Sequence, residues 1–189
     1  MKELEERILR DGVVINGEII KIDSFLNHQV DVELLGRIAQ DIKHFFAGRT
    51  VDKVLTIEAS GIAIGYACAL AFGCQNFVFA RKDKRLTMSD TVYESEAFSF
   101  TKKRDTVITV DKKFIERGEN ILIVDDFLAE GSSGLALVDI CKQAGADVVG
   151  YAAAVEKVYQ GGRERLEKYG FKVYSAAQIK EVRDGEVIF

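Results

Sequence analysis

The alternation of hydrophobic and polar residues predicts a chain in which helices and strands succeed one another. Residues 2–10 and 31–47 show the apolar spacing of amphipathic helices. Between them, the dipeptide Asn16-Gly17 separates the short apolar segments 13–15 and 19–20, which predicts a β-hairpin with a tight turn. The first part of the chain is therefore expected to hold two helices joined through a small hairpin.

Near-continuous apolar runs predict the strands of the main sheet. These runs cover residues 54–57, 77–79, 121–124, 148–155 and 171–175. Helical segments separate several of them, at 62–72, 135–144 and 161–169. A polar segment begins at Arg81, and weak alternation inside it, over 93–100, predicts pairing with 106–110. Apolar strands that alternate with helices are typical of a mostly parallel sheet covered on both faces, so we predict the α/β fold class.

Composition and charge narrow the class of protein. With 189 residues, of which 48% are apolar and 30% charged, the chain is most simply one globular domain, 1–189. The net charge of −4 gives no basic field for nucleic acid, and no apolar run reaches the ~18 residues of a membrane span. The first segment is too acidic for a signal peptide, and three cysteines without a C-x-x-C pair predict a reduced, cytoplasmic location. We therefore expect neither nucleic acid nor membrane as a partner.

The stretch 121–134 carries the clearest chemical signal. Its apolar strand runs into Asp125 and Asp126, and a loop of small residues then leads into a helix. A turn with a helix cap needs only one such carboxylate, and a second beside it costs repulsion unless a ligand or cation compensates. Carboxylates can hold ribose hydroxyls, and the N–H groups at a helix start can hold a phosphate. The residues alone therefore predict a sugar-phosphate ligand.

Other charged residues are expected at the same edge of the sheet. Ligands of parallel sheets bind beyond the carboxyl ends of strands, where Glu58, Glu156 and Lys157 join the two aspartates. The loop lacks the G-x-x-x-x-G-K-[ST] and G-x-G-x-x-G spacings, which disfavours an ATP-type P-loop and a dinucleotide site. The sequence contains no discernible metal-ligand cluster or Ser/His/Asp arrangement, so no direct metal site is predicted.

The acidic strand and its loop resemble the phosphoribosyl-diphosphate (PRPP) signature of the type I phosphoribosyltransferases. Further segments resemble the xanthine-using members of that family: 21–29, 56–62, 79–82, 99–102, 143–146 and 155–157. The resemblance implies the type I phosphoribosyltransferase fold, with a mostly parallel sheet flanked by helices. It also implies a small hood built from about 1–30 and 157–189, a lid at about 81–110, and a homodimer.

The resemblance assigns the sugar and phosphate groups of PRPP to particular residues. Asp125 and Asp126 would be the catalytic carboxylates, holding the ribose hydroxyls and favouring the positive charge of an oxocarbenium-like transition state. The 5′-phosphate would bind a loop of five residues, Ala129, Glu130, Gly131, Ser132 and Ser133. The diphosphate would bind Ala59 and Ser60 of the turn after the first main strand, together with Arg81 and Lys82. Mg²⁺ would arrive chelated by PRPP, which requires few protein ligands.

Three residues are expected to bind the base. By the resemblance, Ile20 is an apolar wall, Lys157 lies beside the 6-oxo edge of a purine, and Asn27 lies near its 2-position. Lysine is a donor only, so it suits a 6-oxo group and opposes the 6-amino group of adenine. Asparagine is donor and acceptor, so its chemistry fits the 2-oxo group of xanthine and the 2-amino group of guanine alike. The family resemblance favours xanthine.

The expected activity is transfer of the 5-phosphoribosyl group of PRPP to N9 of xanthine, which yields xanthosine 5′-monophosphate and diphosphate. The alternatives are a guanine/hypoxanthine phosphoribosyltransferase, an adenine enzyme, and a regulator that binds PRPP without catalysis. The regulator would need a DNA-binding appendage, for which the chain has neither the length nor a basic first segment. One residue departs from the family pattern: Glu130 places a carboxylate in the expected phosphate loop, where it has to point away or be paired.

Overall fold

The structure is a computed structural model, and it describes residues 1–17, 19–83, 91–99 and 104–189. The middle of the predicted lid and most of the segment 99–102 lie outside these described residues. Within them, no helix is both long enough and apolar enough to span a membrane.

The helices and strands follow one another largely as the hydrophobic pattern predicts. In chain order they are α1 Lys2–Asp11, β1 Val13–Ile15, β2 Ile19–Lys21, α2 Val32–Phe45, β3 Lys53–Ile57, α3 Gly61–Phe72, β4 Phe77–Asp83, β5 Val92–Ser99, β6 Arg104–Asp111, β7 Asn120–Leu128, α4 Ser132–Ala144, β8 Asp147–Lys157, α5 Gly162–Glu167, β9 Val173–Ile179, β10 Glu181–Arg183 and β11 Glu186–Ile188. A single π-helical turn, Asp23–Asn27, connects β2 to α2.

The central sheet has the strand order β5-β6-β4-β3-β7-β8-β9 in the described part of the chain. Its core is parallel, because β3 pairs in parallel with β4 and β7, and β8 pairs in parallel with β7 and β9. At one side β6 runs antiparallel to both β4 and β5. The predicted α/β class with a mostly parallel sheet is confirmed. Of the predicted pairing between 93–100 and 106–110, the structure shows residues 93–97 paired with 106–110.

Hydrophobic layers cover both faces of this sheet. In β7, Leu122 and Val124 belong to the core that also contains α1, α2 and α3. Their neighbours Ile121 and Ile123 belong to the opposite core, beneath α4 and α5. Successive side chains of a strand point to opposite faces, so a strand that is buried on both sides is apolar at every position. This is why the run 121–124 shows no alternation.

Two hairpins stand apart from the central sheet. The predicted one joins β1 to β2, and its turn residues Asn16 and Gly17 have φ values of 52° and 71°. A second joins β10 to β11 through Asp184 and Gly185, with φ values of 52° and 82°. Asn-Gly and Asp-Gly are the dipeptides that tolerate two successive positive φ angles. The sequence prediction used the first dipeptide and missed the second.

Three strands extend beyond their predicted apolar runs. β7 continues to Leu128, so Asp125 and Asp126 lie inside the strand and not after it. β8 includes Glu156 and Lys157. β4 continues through Arg81 because its polar end pairs with β6, whereas the sequence prediction began a polar segment there. β9 begins at residue 173, two residues later than predicted. Backbone pairing therefore carries the strands into the residues of the expected site.

Candidate active site

The predicted phosphate loop lies between the carboxyl end of β7 and the start of α4. Gly131 precedes α4 with a φ of 79°, and the helix begins at Ser132, earlier than the predicted Leu135. The first N–H groups of a helix have no partner within the helix, and the partial positive charge at this end favours an anion. The loop therefore has the backbone geometry of an anion site, with two serine hydroxyls beside it.

A pocket of about 250 Å³ opens in front of this loop. Its lining includes all five predicted phosphate-loop residues, from Ala129 to Ser133, among them the anomalous Glu130. Asp125 and Lys82 also line the pocket, although they come from different strands. The structure thus brings the predicted phosphate loop, one of the predicted catalytic carboxylates and one of the predicted diphosphate-binding cations around a single cavity.

The side chains of Asp125 and Asp126 lie on different sides of β7. Asp125 lines the pocket, whereas Asp126 Oδ2 accepts a 2.9 Å hydrogen bond from Asn27 Nδ2. The alternation of side chains along a strand accounts for this separation. Asp125 Oδ1 also accepts a 2.9 Å hydrogen bond from the backbone N–H of Asp126.

Burial controls the electrostatics of Asp125. Burial of the carboxyl group, followed by its proximity to Asp126, raises the pKa of Asp125 well above the usual range, and the charge of Lys82 partly opposes this shift. A carboxyl group with a raised pKa holds its proton more tightly than a solvent-exposed aspartic acid does. Perturbed acids of this kind cluster at functional sites.

Of the predicted base-binding residues, Asn27 contacts Asp126, whereas Lys157 lies beside Phe127, a residue of the pocket lining. Asn27 ends the π-helical turn, and its Oδ1 is buried without a hydrogen-bond partner in the described part of the protein. Lys157 is the last residue of β8, and its Nζ lies 5.7 Å from the centroid of the Phe127 ring. Ile20 is buried in the hydrophobic core on β2. These three residues lie outside the lining of the phosphate pocket.

The predicted diphosphate residues are linked through Glu58. The turn 58–61 follows β3 directly, and Glu58 Oε1 accepts a 2.9 Å hydrogen bond from the backbone N–H of Lys82. Its other oxygen lies 3.8 Å from Arg81 Nε, and the Arg81 side chain is 71% exposed. Ala59 is exposed and Ser60 is partly buried. The turn and the two cations are therefore neighbours, as predicted, with an open face towards solvent.

Glu156 does not join the expected group of site carboxylates, although it lies at the predicted strand end. Its side chain is only 1% exposed, and Oε2 lies 2.6 Å from Nη2 of Arg163 on α5. A buried carboxylate needs such a partner, because an unpaired charge in the interior is costly. The sequence analysis predicts the helical segment 161–169 but assigns Arg163 no role in it.

Comparison with known proteins gives a consistent family. The family model described as phosphoribosyl transferase domain matches residues 21–184. The xanthine phosphoribosyltransferase of Lactobacillus acidophilus is 49% identical over 100% of this chain and 98% of its own length. Those of Lactobacillus delbrueckii subsp. bulgaricus and Finegoldia magna are 46% and 44% identical, again over the whole chain and over 100% and 99% of their own lengths.

Solved structures agree at the level of the fold. The adenine phosphoribosyltransferase of Rhodothermus marinus superposes with a TM-score of 0.77, at 24% identity, over 95% of this chain and 100% of its own. The enzyme of Giardia lamblia, solved with 9-deazaadenine, gives a TM-score of 0.77 at 20% identity, over 93% and 97% of the two chains. At this identity the similarity establishes a shared architecture and carries no argument about the base.

Proposed function

This chain belongs to the phosphoribosyltransferase family, and on that premise we propose that it converts xanthine and PRPP into xanthosine 5′-monophosphate and diphosphate. The reaction displaces diphosphate from C1 of the ribose and forms a bond from that carbon to N9 of xanthine. Relatives that match the chain from end to end carry the xanthine phosphoribosyltransferase name, which supports the choice of base.

One contact supports this proposal most directly. The hydrogen bond from Asn27 to Asp126 joins a proposed base-binding residue to a proposed ribose-binding carboxylate. In the reaction the base and C1 of the ribose have to meet, so their binding groups must be adjacent. Residues 27 and 126 are far apart in the sequence, and only the fold brings them together.

The proposed roles of the carboxylates follow from the charge that develops during the reaction. As the bond from C1 to diphosphate breaks, positive charge builds up on the ribose ring. Asp125 and Asp126 would hold the ribose hydroxyls and stabilise this charge, more strongly in the transition state than in the ground state. We assign Asp125 to the pocket side and Asp126 to the base side, in accordance with their contacts.

The two ends of PRPP would be held by two different loops. The 5′-phosphate would accept hydrogen bonds from the N–H groups at the start of α4 and from the hydroxyls of Ser132 and Ser133. The diphosphate would bind the turn at Ala59 and Ser60, with Arg81 and Lys82 nearby. The leaving diphosphate gains negative charge, so these cations act preferentially on the transition state. Lys82 lines the same pocket as the phosphate loop, which supports this arrangement.

Base selection would depend on Lys157 and Asn27. Lys157 would donate a hydrogen bond to the 6-oxo group of the purine. Adenine carries a 6-amino group there, which cannot accept that bond. The unpartnered Oδ1 of Asn27 marks hydrogen-bonding capacity that a ligand would satisfy, since buried polar atoms are normally paired. Ile20 would contribute apolar surface from the core beneath.

Members of this family use PRPP with Mg²⁺, and the residues present fit a cation that is carried mainly by the substrate. Asp125 and Asp126 offer carboxylate oxygens, the ligand type that Mg²⁺ prefers. The described residues contain no group of three or more His, Cys, Asp or Glu that could hold a metal ion. When bound, the cation would neutralise charge on the diphosphate.

We further propose a hood from about 1–30 and 157–189, a lid at about 81–110, and a homodimer. Leu4 and Ile8 of α1 share a core with Ala176 and Ile179 of β9, which supports a hood built from both ends of the chain. For the dimer, the candidate contact is the face carrying the exposed side chains of Tyr66, Leu70 and Phe79. Arg81 follows Phe79 by two residues on β4, so this contact would bring Arg81 towards the neighbouring subunit.

The proposal is tested by turnover assays with Mg²⁺, PRPP and each of the bases xanthine, guanine, hypoxanthine and adenine. We expect the highest kcat/KM with xanthine and no measurable turnover with adenine. If kcat/KM is highest with guanine or hypoxanthine, the reaction stays as proposed and the base changes from xanthine to that purine. Tight PRPP binding without turnover of any base would contradict an enzyme and favour a PRPP-binding regulator.

A further inference from the structure

We propose that Arg163 is a positioning residue for the 5′-phosphate loop, through an ion pair with Glu156 that holds the start of α5 against that loop. The inference deepens the proposed function and rests on it for the identity of the phosphate. Neither residue lines the pocket, so the effect has to pass through the contacts between α5 and the loop.

The guanidinium of Arg163 joins three elements of the fold. Its Nε lies 3.0 Å and 3.1 Å from the two carboxylate oxygens of Glu156 on β8, and its Nη2 lies 2.6 Å from Oε2. Nη1 donates a 2.7 Å hydrogen bond to the carbonyl oxygen of Val173 at the start of β9. This forked geometry fixes the direction of the side chain as well as its distance, which a lysine ammonium would not do.

The helix that carries Arg163 is too short to hold its own position. α5 has 6 residues. Isolated helices shorter than about 12–15 residues are marginal in water, so the placement of α5 depends on its tertiary contacts. Leu166 is fully buried and anchors one side of the helix. Arg163, three residues earlier and so on the same side of the helix, adds the ion pair with Glu156.

The residue before Arg163 touches that loop directly. The N–H of Gly162 donates a 3.1 Å hydrogen bond to the carbonyl oxygen of Ala129. A Cβ atom on Gly162 would lie 2.3 Å from the same oxygen and 2.9 Å from the backbone nitrogen of Gly131. Two stretches of backbone are therefore in contact without an intervening side chain. Movement of Gly162 has to move the loop with it.

A second contact holds the next carbonyl group. Arg165 Nη1 donates a 3.0 Å hydrogen bond to the carbonyl oxygen of Glu130. The carbonyl oxygens of Ala129 and Glu130 are thus both engaged by α5. A phosphate is attracted by N–H groups and repelled by carbonyl oxygens. Hydrogen bonds from α5 to these two carbonyl oxygens therefore favour the orientation of the loop that suits an anion.

Glu130 adds a reason for the loop to need this support. Glu130 lines the pocket that would hold the dianionic 5′-phosphate. A carboxylate is unfavourable there because the two negative charges repel each other. The loop of this protein therefore depends on exact backbone placement more than a loop with a neutral residue would. The Arg163–Glu156 pair supplies that placement from outside the pocket.

The test compares binding of two probes to the protein without any base. Ribose 5-phosphate reports on the loop 129–133, and inorganic diphosphate reports on the turn 58–61 with its cations. For Arg163→Met we expect the Kd of ribose 5-phosphate, measured by calorimetry, to rise on the order of ten-fold. The Kd of diphosphate should change by less than about two-fold, because Gly162 and Arg165 of α5 bond the loop 129–133, where ribose 5-phosphate would bind. For Arg163→Lys we expect a Kd of ribose 5-phosphate between those of the unaltered protein and Arg163→Met.

Two further variants control for loss of folding. Arg163→Met leaves Glu156 buried without a partner, so the double variant Arg163→Met/Glu156→Met, which removes both charges, is measured beside it. Arg183→Met is the matched surface control, because Arg183 also pairs with a glutamate, Glu181, at 2.7 Å but is 64% exposed. It should bind both probes as the unaltered protein does. Circular dichroism and thermal unfolding identify the folded variants.

The outcomes separate this inference from the proposed function. A folded double variant that binds ribose 5-phosphate with unaltered affinity would overturn the inference, as would equal losses for both probes. In steady-state assays the inference also predicts that KM rises for PRPP and not for xanthine. If the unaltered protein binds ribose 5-phosphate but turns over no base, the proposed function fails while the positioning role remains measurable.

Discussion

The two proposed phosphate-binding loops occupy equivalent positions in the fold but have different surroundings. Each follows a parallel strand and precedes a helix: 58–61 between β3 and α3, and 129–133 between β7 and α4. The second loop is held from behind by α5, through Gly162 and Arg165. The first is bordered by Arg81 and Lys82, whose side chains are exposed.

The difference fits the fates of the two phosphate groups in the proposed reaction. The 5′-phosphate remains on the nucleotide product and serves as a fixed handle while C1 changes partner. Diphosphate departs, so its site has to bind a growing charge and then release it. A loop of fixed backbone suits the first task, and exposed cations around an open turn suit the second. The two loops have similar sequence patterns around them, but we expect the loop 129–133 to be held more firmly than the turn 58–61.

The largest expected effect comes from the carboxylate that we assign to the base side of β7. Asp126→Asn should lower kcat about 10²–10³-fold, since it removes negative charge where the ribose becomes positive. The Oδ1 of the new asparagine can still accept the hydrogen bond from Asn27, so folding should be preserved. Kd values for ribose 5-phosphate and diphosphate should change little. Steady-state kinetics with thermal unfolding measure both; an unaltered kcat would remove Asp126 from the catalytic set.

The next largest effect should come from glycines, and it differs between the loops. Gly162→Ala would place Cβ 2.3 Å from the backbone oxygen of Ala129, so the loop has to shift. We expect a stability loss of about 1–3 kcal/mol and a rise of about 10²-fold in KM for PRPP. Denaturant unfolding and initial rates at varied PRPP concentration measure these two quantities.

Gly61→Ala is the matched variant at the other loop. Its Cβ would meet the Thr56 hydroxyl at 2.2 Å, and within the described part of the chain this hydroxyl has no hydrogen-bond partner to lose when it rotates. We therefore expect a smaller increase in KM than for Gly162→Ala. Equal effects of the two substitutions would contradict the distinction between a backbone-supported loop and an open turn.

A smaller and more selective effect is expected for Lys82. Lys82→Met should weaken binding of inorganic diphosphate on the order of ten-fold and leave ribose 5-phosphate within about two-fold. This is the reverse of the pattern expected for Arg163→Met, and the two variants together form a cross-over test. Calorimetry at two salt concentrations measures it, because a charge contact loses strength as salt rises. A Lys82 variant that weakens both probes equally would merge the two sites into one.

The smallest effect concerns pH and the pocket side of β7. Burial and Asp126 raise the pKa of Asp125 above its ordinary value of 3.8. The folded protein therefore binds this proton more tightly than the unfolded chain does, and stability falls as pH rises through the raised pKa. The slope should be at most about 1.4 kcal/mol per pH unit. Urea unfolding between pH 4 and 8 measures it, and Asp125→Asn should remove it. A slope that persists in Asp125→Asn would assign the effect to another group.

Much of the fold follows from local signals in the sequence. Apolar runs predicted the parallel strands, since a strand buried on both faces needs hydrophobic residues throughout. Asn16-Gly17 predicted its hairpin because this dipeptide tolerates the required φ angles. Asp184-Gly185 carries the same signal at the other end of the chain, and the missed hairpin was therefore predictable from the residues alone.

Other features depend on partners that are distant in the sequence. β4 continues through Arg81 and Lys82 only because β6 pairs with it. The Arg163–Glu156 pair needs α5 to return against β8, and no local pattern specifies that approach. The sequence indicated the residue types of the site, including the two aspartates and the loop. It did not indicate which aspartate faces the pocket or what stands behind the loop, because both depend on packing in three dimensions.

The contact between Gly131 and Gly162 has a consequence for engineering. A Cβ on Gly131 would lie 3.1 Å from the carbonyl oxygen of Gly162 at a φ of 79°, and a Cβ on Gly162 would lie 2.3 Å from the carbonyl oxygen of Ala129, so both positions disfavour a side chain. A designer can graft the loop 129–133 into another scaffold, or randomise it to accept a different sugar phosphate. Either change alters the loop without its contact partner, the backbone of α5 at Gly162. The transplantable module is the continuous segment 120–167, with both glycines held constant. Libraries confined to the loop should yield few folded, phosphate-binding clones.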